Sequence, residues 1–410
     1  MKNSNANVAY PPPAYPPPVR TVAALGSLYM ARMLGLFMVL PVLTLAGAEY
    51  LGSNIFLLGV ALGIYGLTQA LLQIPFGILS DRYGRKPLIA IGMAIFALGS
   101  VVAAAADSVQ GLIVGRALQG AGAIAGVVMA MVADLTRDQH RTKAMAAIGA
   151  SIGIAFALSL VLGPVLTALG GVRLIFWLSL ALSIIGLLVL IFLVPSSAKD
   201  SARALNLKQG IRIVVQDLNL LKLNLGIFVL HGVLMALFVV LPTLLLAVDI
   251  PAVQHAWVYL GVMAVSFLLI VPFIIIGEQR RKLKSIFLLM VLLAALALAA
   301  LPLAANSLEA LIGATLLFFI SFNYLEASLP ALMSKTINAK YRGAGSGLFA
   351  TFQFTGAALG GILGGWAYQQ WGLATLLWGC ALAVLMWLLL SISMTVPAPG
   401  SENPTKNVIA

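Results

Sequence analysis

Charge is what this chain has least of. Only 9% of its 410 residues are Asp, Glu, Lys or Arg, where an ordinary soluble domain carries ~25%. So little charge excludes a surface made to face water. The single cysteine, Cys380, excludes an intramolecular disulfide. Three histidines and few carboxylates leave no metal cluster or nucleophile constellation, so a membrane-embedded enzyme is not expected. No G-x-x-x-x-G-K-[ST] loop is present, which argues against ATP drive. The N-terminus is Pro-rich and lacks the apolar core of a cleavable signal peptide. Pro11–Pro18 therefore reads as a disordered or polyproline tail, and the first apolar segment must direct insertion.

What is there is apolar: 61% of the residues are hydrophobic and the mean hydropathy is +1.06. A run of ~20 apolar residues crosses a bilayer. Twelve such segments fit, at 20–47, 54–80, 87–106, 109–134, 142–169, 172–194, 221–248, 254–277, 284–304, 308–334, 342–369 and 371–395. The expected fold is an all-α polytopic membrane protein with twelve transmembrane helices. Its domains would be a cytoplasmic tail (1–19), a six-helix half (20–194), a linker (195–220), a second six-helix half (221–395) and a second tail (396–410). The linker is either a basic helix lying on the membrane or a plain connection.

The net charge of +12 is not spread at random. Basic residues cluster in alternate connections: Arg82, Arg85 and Lys86; Arg137, Arg141 and Lys143; Lys199, Arg203, Lys208, Arg212 and Lys222; Arg280, Arg281, Lys282 and Lys284; Lys335, Lys340 and Arg342. The intervening connections hold Glu49, Asp107, Asp249 and Glu309, with Arg173 as their one basic residue. This is the positive-inside pattern, and it places both termini in the cytoplasm. The charge sets topology and implies no nucleic-acid partner; the partners expected are the lipid bilayer, a small-molecule substrate and protons, with the chain acting as a monomer.

Gly77–Pro87 is a short charged hinge between the second and third segments. Gly84 would supply the turn and Pro87 the first position of the following helix. The two halves of the chain also repeat. Leu36-Phe37-Met38-Val39-Leu40-Pro41 matches Leu237-Phe238-Val239-Val240-Leu241-Pro242, and Asp134-(x6)-Arg141 matches Lys335-(x6)-Arg342, both at an offset of 201 residues. A common offset at distant points argues for two pseudo-symmetric six-helix halves of the same orientation.

The G-x-x-x-D-R-x-G-R-K-P hinge, together with Gly115-Arg116-Ala117-Leu118-Gln119-Gly120 in the fourth segment, resembles the major facilitator superfamily. Within it the chain resembles the drug:proton antiporter family through Arg32–Phe37, Ile64–Gln69 and Phe322–Ala327. Members of the most similar branch carry a small soluble domain after the last span, whereas this sequence stops at Ala410. Antiporters of the family show G-x-x-x-G-P-x-x-G-G in the fifth helix. Here Ser159 replaces the first Gly of that motif, Gly163-Pro164 is kept, and the Gly pair comes later at Gly170-Gly171.

Ionisable residues deep in a span mark functional sites by default. Arg32, Glu326 and His231 fall at a similar depth, roughly 18, 14 and 14 Å from the basic side at 1.5 Å per residue. The resemblance implies that helices one, four, seven and ten line a central cavity, where all three could meet. Glu326 is then either a proton site tuned by Arg32 or half of a permanent Arg32–Glu326 ion pair. His231 is either part of that site or a hydrogen-bonded packing residue. Tyr65, Gln69 and Gln73 form an i, i+4, i+8 stripe, and Asn323 lies one turn from Glu326. These groups either line the cavity or bond between helices. Arg116, Gln119 and Gly120 match a family element associated with proton coupling; alternatively Arg116 snorkels to the outer surface. Gly153, Gly163 and Pro164 suggest close helix packing, as do Gly356, Gly360, Gly361, Gly364 and Gly365 in the eleventh segment. The resemblance also implies a cytoplasmic gate in which Arg85 pairs with Asp81 and Asp134, Asp81 caps the eleventh helix, and Gly77 lets the second and eleventh helices touch. Gly77, Asp81, Arg82, Gly84, Arg85, Lys86, Pro87 and Asp134 make up that gate.

The function expected is secondary active transport by alternating access, as proton-coupled efflux of small amphipathic or cationic compounds. No cofactor is required; the proton is the coupling ion. The alternatives are a proton symporter or facilitator for a small polar solute and a non-transporting receptor.

Overall fold

A computed structural model describes residues 18–136, 138–196, 212–279, 282–337 and 341–395. Several expectations fall outside the described residues or side chains: the Pro11–Pro18 tail, Arg137, Arg141, Lys199, Arg203, Lys208, Arg280, Arg281, Lys340, Arg342 and the tail 396–410.

The chain is a helical membrane protein. Helix α1 is Pro18–Phe37, α2 Ile55–Tyr83, α3 Arg85–Ala105 and α4 Val109–Leu135, the last interrupted at Gly122. Asp138–Leu193 spans 56 residues, about 84 Å at 1.5 Å per residue, which is far more than a bilayer needs. It folds back at Gly170–Gly171, where Gly171 takes φ +69°. Its two legs are α5 (138–169) and α6 (172–193). After α7 Leu218–Ala247, α8 His255–Gln279, α9 Leu283–Ala300 and α10 Leu308–Thr336 comes a second long element, Arg342–Ile392. It folds back at Gly372, φ +80°, into α11 (342–371) and α12 (373–392). A positive φ is open to glycine at little cost, so the second hairpin turns on Gly372 alone and the first on the pair Gly170–Gly171.

Two faces follow from this order. The connections after α2, α4, α6, α8 and α10 lie on one side, here the basic face; those after α1, α3, α5, α7, α9 and α11 lie on the opposite face. Side-chain caps start several spans. Asn54 accepts from Leu57 N at 2.8 Å, Asp217 from Asn219 N at 2.8 Å, and Ser108 and Ser307 from Gly111 N and Ala310 N at 3.3 Å. On the basic face, Lys86 Nζ donates to the Ile191 and Val194 carbonyls at 3.0 and 2.7 Å, capping the end of α6.

The repeated Leu-Phe-x-Val-Leu-Pro segments do not share a conformation. In the first half helix α1 stops at Phe37 and the chain passes through turns over 38–42; in the second, Pro242 sits inside the continuous helix α7. Pro87 is the third residue of α3, not the first, because the helix begins at Arg85 straight after Gly84 (φ +101°). It still lies in the first turn, where a missing N–H costs little. At the end of the linker, 212–216 is helical and Val214 is buried in the core, so this stretch packs on protein.

Small residues set where the halves meet. A Cβ at Gly59 would come 2.5 Å from the Gly361 carbonyl oxygen, and one at Gly66 would come 2.7 Å from that of Phe354. One at Gly63 would collide with the Ala358 carbonyl. Thus α2 and α11 touch backbone to backbone over the part of the membrane nearer the opposite face, where Phe56 N also donates to Gln369 Oε1 at 3.0 Å. Gly77 does not take part in this contact: among the described residues nothing lies within 4 Å of its missing side chain, nor of that at Gly149, Gly153 or Gly347. Gly153 is therefore no packing glycine, whereas Gly163 abuts the Met38 carbonyl and Pro41.

The hydrophobic cores repeat the pattern. One core joins residues of both halves, from Met38–Leu43, Leu58, Phe156 and Leu160 to α7, α9 and α10. A second, toward the basic face, belongs to the first half, with Phe354 and Ala350 as its α11 members. The backbone contact of α2 with α11 thus lies toward the opposite face, and at Gly77, nearer the basic face, no described residue comes within 4 Å of the missing side chain.

Replacing Gly63 by Val should force α2 and α11 apart and destabilise the protein by roughly 1–3 kcal/mol. Gly77→Ala should stay within about 0.5 kcal/mol of the parent or raise stability. Thermal unfolding in detergent checks both; an equal loss at the two sites would contradict the packing described.

Candidate functional site

The hinge carries a compact ion cluster. Arg85 binds Asp81 through Nη2, Asp134 Oδ2 through Nε at 3.3 Å, and Ser80 Oγ through Nη1. All three guanidinium nitrogens thus have partners, and the side chains of Arg85, Asp81 and Asp134 are mostly buried. Arg82 lies over the Tyr83 ring at 5.4 Å. The expected seat of Asp81 at the start of α11 involves Arg342, whose side chain lies outside those described.

A second polar group is buried inside the first half. Arg32 on α1 is fully buried; its Nη2 donates to Gln69 Oε1 at 3.0 Å and its guanidinium lies 5.7 Å from the Phe96 ring centre. Arg116 on α4 is also fully buried, not snorkelling. It donates to Gln119 Oε1 at 2.9 Å and to the Ala61 carbonyl at 3.3 Å, and it sits 4.9 Å over the Tyr65 ring. Gln119 donates onward to Ser100 Oγ at 2.9 Å, which donates to the Phe96 carbonyl at 2.8 Å. Gly120 has no room for a side chain against the Tyr65 carbonyl, so α4 and α2 are in backbone contact here. Gln73, one turn on from Gln69, is buried against Gly126 of α4.

A third group lies in the second half. His231 Nε2 of α7 is 3.7 Å from Glu326 Oε2 of α10 and 2.8 Å from Gln353 Nε2 of α11. Gln353 Nε2 also reaches Glu326 Oε1 at 3.4 Å. The Glu326 side chain is 34% exposed and that of His231 11%. Asn323 is turned elsewhere, donating to Ser266 Oγ of α8 at 2.9 Å.

Arg32 and Glu326 thus form no ion pair: the arginine turns back to α2 and α3, and the carboxylate faces α7 and α11. Equal depth along a helix fixes height, not direction, and these two residues point to different bundles. Sequence reasoning missed Gln353, Ser100 and Ser266. It also missed Phe156, which inserts from α5 among Phe37 (5.1 Å between ring centres), Phe322 (5.8 Å), Phe319 (6.3 Å) and Phe238 (6.4 Å). The His231 ring lies 5.9 Å from Phe322, so the titratable group abuts this aromatic cluster. The i, i+3 spacing of Phe319 and Phe322 is a signal in the sequence that could have pointed to this cluster.

A match to the family model described as Major Facilitator Superfamily covers residues 25–361. The chain belongs to that family. It is 47% identical to the inner membrane transport protein YajR of Escherichia coli (strain K12), over 92% of this chain and 84% of the relative. A more distant relative is the multidrug resistance protein MdtH of Edwardsiella ictaluri (strain 93-146), 26% identical over 89% of this chain and 92% of its own. Among solved structures, a D-xylose-proton symporter superimposes with a TM-score of 0.73 at 15% identity, covering 94% of this chain and 99% of that one. The likeness at that identity is one of fold. The family and the relatives are transporters, so this chain is a transporter of the major facilitator type and not an enzyme.

Gln119→Leu removes the acceptor for Arg116 and the donor to Ser100 in a fully buried setting. It should cost about 1–3 kcal/mol, while Ser100→Ala costs less because Arg116 keeps its partner. Unfolding midpoints in detergent would check the order.

Proposed function

We propose that this transporter couples efflux of small amphipathic or cationic compounds to inward proton flow by alternating access. The observation that carries this reading is the Glu326–His231–Gln353 group, where α7, α10 and α11 meet. A one-third exposed carboxyl at this depth is costly against lipid and economical only beside a water-filled cleft. A carboxyl held by an imidazole and an amide can hold or release a proton as the cleft changes sides, because hydration and neighbouring charge set its affinity. The aromatic cluster beside it offers faces suited to apolar and cationic groups. Arg32 and Arg116 are turned into the first half and do not oppose a cation there. The name of the MdtH relative points to the same substrate class.

With the basic face in the cytoplasm, the α2–α11 glycine contact would lie toward the outer side and close the cavity there, as in an inward-facing state. The Asp81–Arg85–Asp134 cluster would then be the first half of a latch that engages α11 when the cavity faces outward. Protons would enter from the outer side and leave to the cytoplasm, with the substrate moving the other way.

Glu326→Gln should abolish uphill transport driven by a pH gradient in proteoliposomes, at least tenfold below the parent, while substrate exchange without a gradient persists. Ethidium is a suitable cationic probe, and undiminished proton flux in the variant would end the proposal. Asp81→Asn should shift the population further inward and slow transport while leaving folding intact. Labelling an engineered cysteine in the cleft from the cytoplasmic side reads this directly; unchanged labelling would remove the latch.

A further inference from the structure

Two guanidinium groups are fully buried in the first half without a carboxylate partner. Arg32 reaches Gln69 and Arg116 packs on Tyr65, two residues one turn apart on one face of α2. Both positive charges therefore approach the same stretch of that helix, and Tyr65 lies in the field of each. The carboxylates of this half are engaged elsewhere among the described side chains: Asp81 and Asp134 with Arg85, Asp107 with Arg173, and Glu49 exposed on a loop. Unpaired buried charge is expensive.

The surplus on these side chains is one of donors, and Gln73, one turn beyond Gln69, is also buried with both its Nε2 and its Oε1 unpartnered. Arg32 Nε and Nη1, Arg116 Nη2, Gln69 Nε2 and Tyr65 Oη are buried and have no protein partner. Four of these five groups can only donate, and the tyrosine hydroxyl can donate. The amide oxygens of Gln69 and Gln119 are already taken, by Arg32 and by Arg116, while that of Gln73 is open. A water molecule here would satisfy two donors and pass its hydrogens to Tyr65 Oη or Gln73 Oε1, but it would leave both positive charges unbalanced. A species that accepts from several donors and carries negative charge answers the donor surplus and the charge together. The site is enclosed, since Arg32, Gln69 and Arg116 have no exposed surface, which favours a small sphere over a polyatomic oxyanion.

We propose that the first half holds one small monovalent anion of chloride size between Arg32 on α1 and Arg116 on α4, with Tyr65 Oη and Gln69 Nε2 as neutral donors. The anion is a resident of the fold, not cargo. It neutralises part of the charge that α1, α2 and α4 bring together, and it ties those helices into one unit. The proposal stands independently of the proton site on α10.

The full chain, purified throughout in sodium gluconate, is melted in detergent while gluconate is replaced by chloride or bromide at constant ionic strength. Both halides should raise the midpoint saturably by roughly a few °C, as expected for a ligand that binds only the folded state. Equilibrium binding of radioactive chloride should give one site per chain. Gln69→Glu supplies a fixed carboxylate: this variant should melt in gluconate where the parent melts in chloride, and lose its response to halide. Should that variant fail to fold, Arg32→Gln should move the half-maximal chloride concentration up at least tenfold. A parent that melts alike in all three salts overturns the proposal. So does a full chloride response in Gln69→Glu, or a response to acetate or phosphate without one to halide.

Discussion

Helix α11 touches α2 along one row of small residues and α7 along another, and both contacts bring backbones together. Phe354, Ala358, Gly361 and Gly365 meet Gly59, Gly63 and Gly66 of α2, while Gly356, Gly360 and Gly364 meet Phe228, Gly232 and Ala236 of α7. In lipid there is no hydrophobic gain from joining two apolar helices, so association rests on close packing and on polar contacts between backbones. Glycine makes that approach possible by removing the Cβ that would stand in its way. The α7 contact holds α11 in its own half; the α2 contact crosses to the other half toward the opposite face. The position of Gln353 beside Glu326 and His231 depends on how α11 is held.

The charged residues divide by the help they receive. At the hinge, one guanidinium is shared by two carboxylates and a hydroxyl. On the opposite face, Arg173 and Asp107 pair where both are largely exposed, and such a pair adds little stability in water. Arg32 and Arg116 have neither arrangement. They rest on amides, carbonyls and aromatic faces, which compensate part of the desolvation and leave donors over. The difference in setting, not residue type, separates an exposed surface pair from a buried three-way cluster and from a buried charge without a carboxylate.

Hydropathy and charge alternation were enough to place the spans, because both properties repeat over many residues and survive local error. The hinge was legible because a turn with Gly84 at positive φ between two apolar helices has few solutions. Other features depend on azimuth, which a single sequence does not carry for helices apolar on every side. Arg32 and Glu326 share a depth and face apart. Gly77 and Gly153 look like packing glycines and meet open space, while Gly59, Gly63 and Gly66 carry the contact. Arg116 sits near the outer end of its helix and yet is buried, because Tyr65 and Gln119 hold it inward. Pro41 ends a helix where Pro242 is absorbed by one, since neighbouring backbone decides the outcome.

The offset of 201 residues turns these details into a comparison within one molecule. Gly163 and Gly364 are equivalent, and both bring their helix against the first helix of its half, at Met38 and at Ala236. Ser159 corresponds to Gly360: the first half places a hydroxyl 3.3 Å from the Leu34 carbonyl, and the second brings bare backbone against Gly232. Polar residues do not follow the repeat. Arg32 and Arg116 correspond to Val233 and Leu317, and Glu326 and His231 to Ala125 and Met30. A shared frame therefore holds fixed positive charge in one half and a titratable pair in the other. On the function proposed, the shared frame would let the halves rock about one axis with similar packing on both sides, and the asymmetry of charge would let only one of them answer to a proton. Proton binding at Glu326 would then alter the second half against a first half whose charge is constant, and that difference would give the motion a direction.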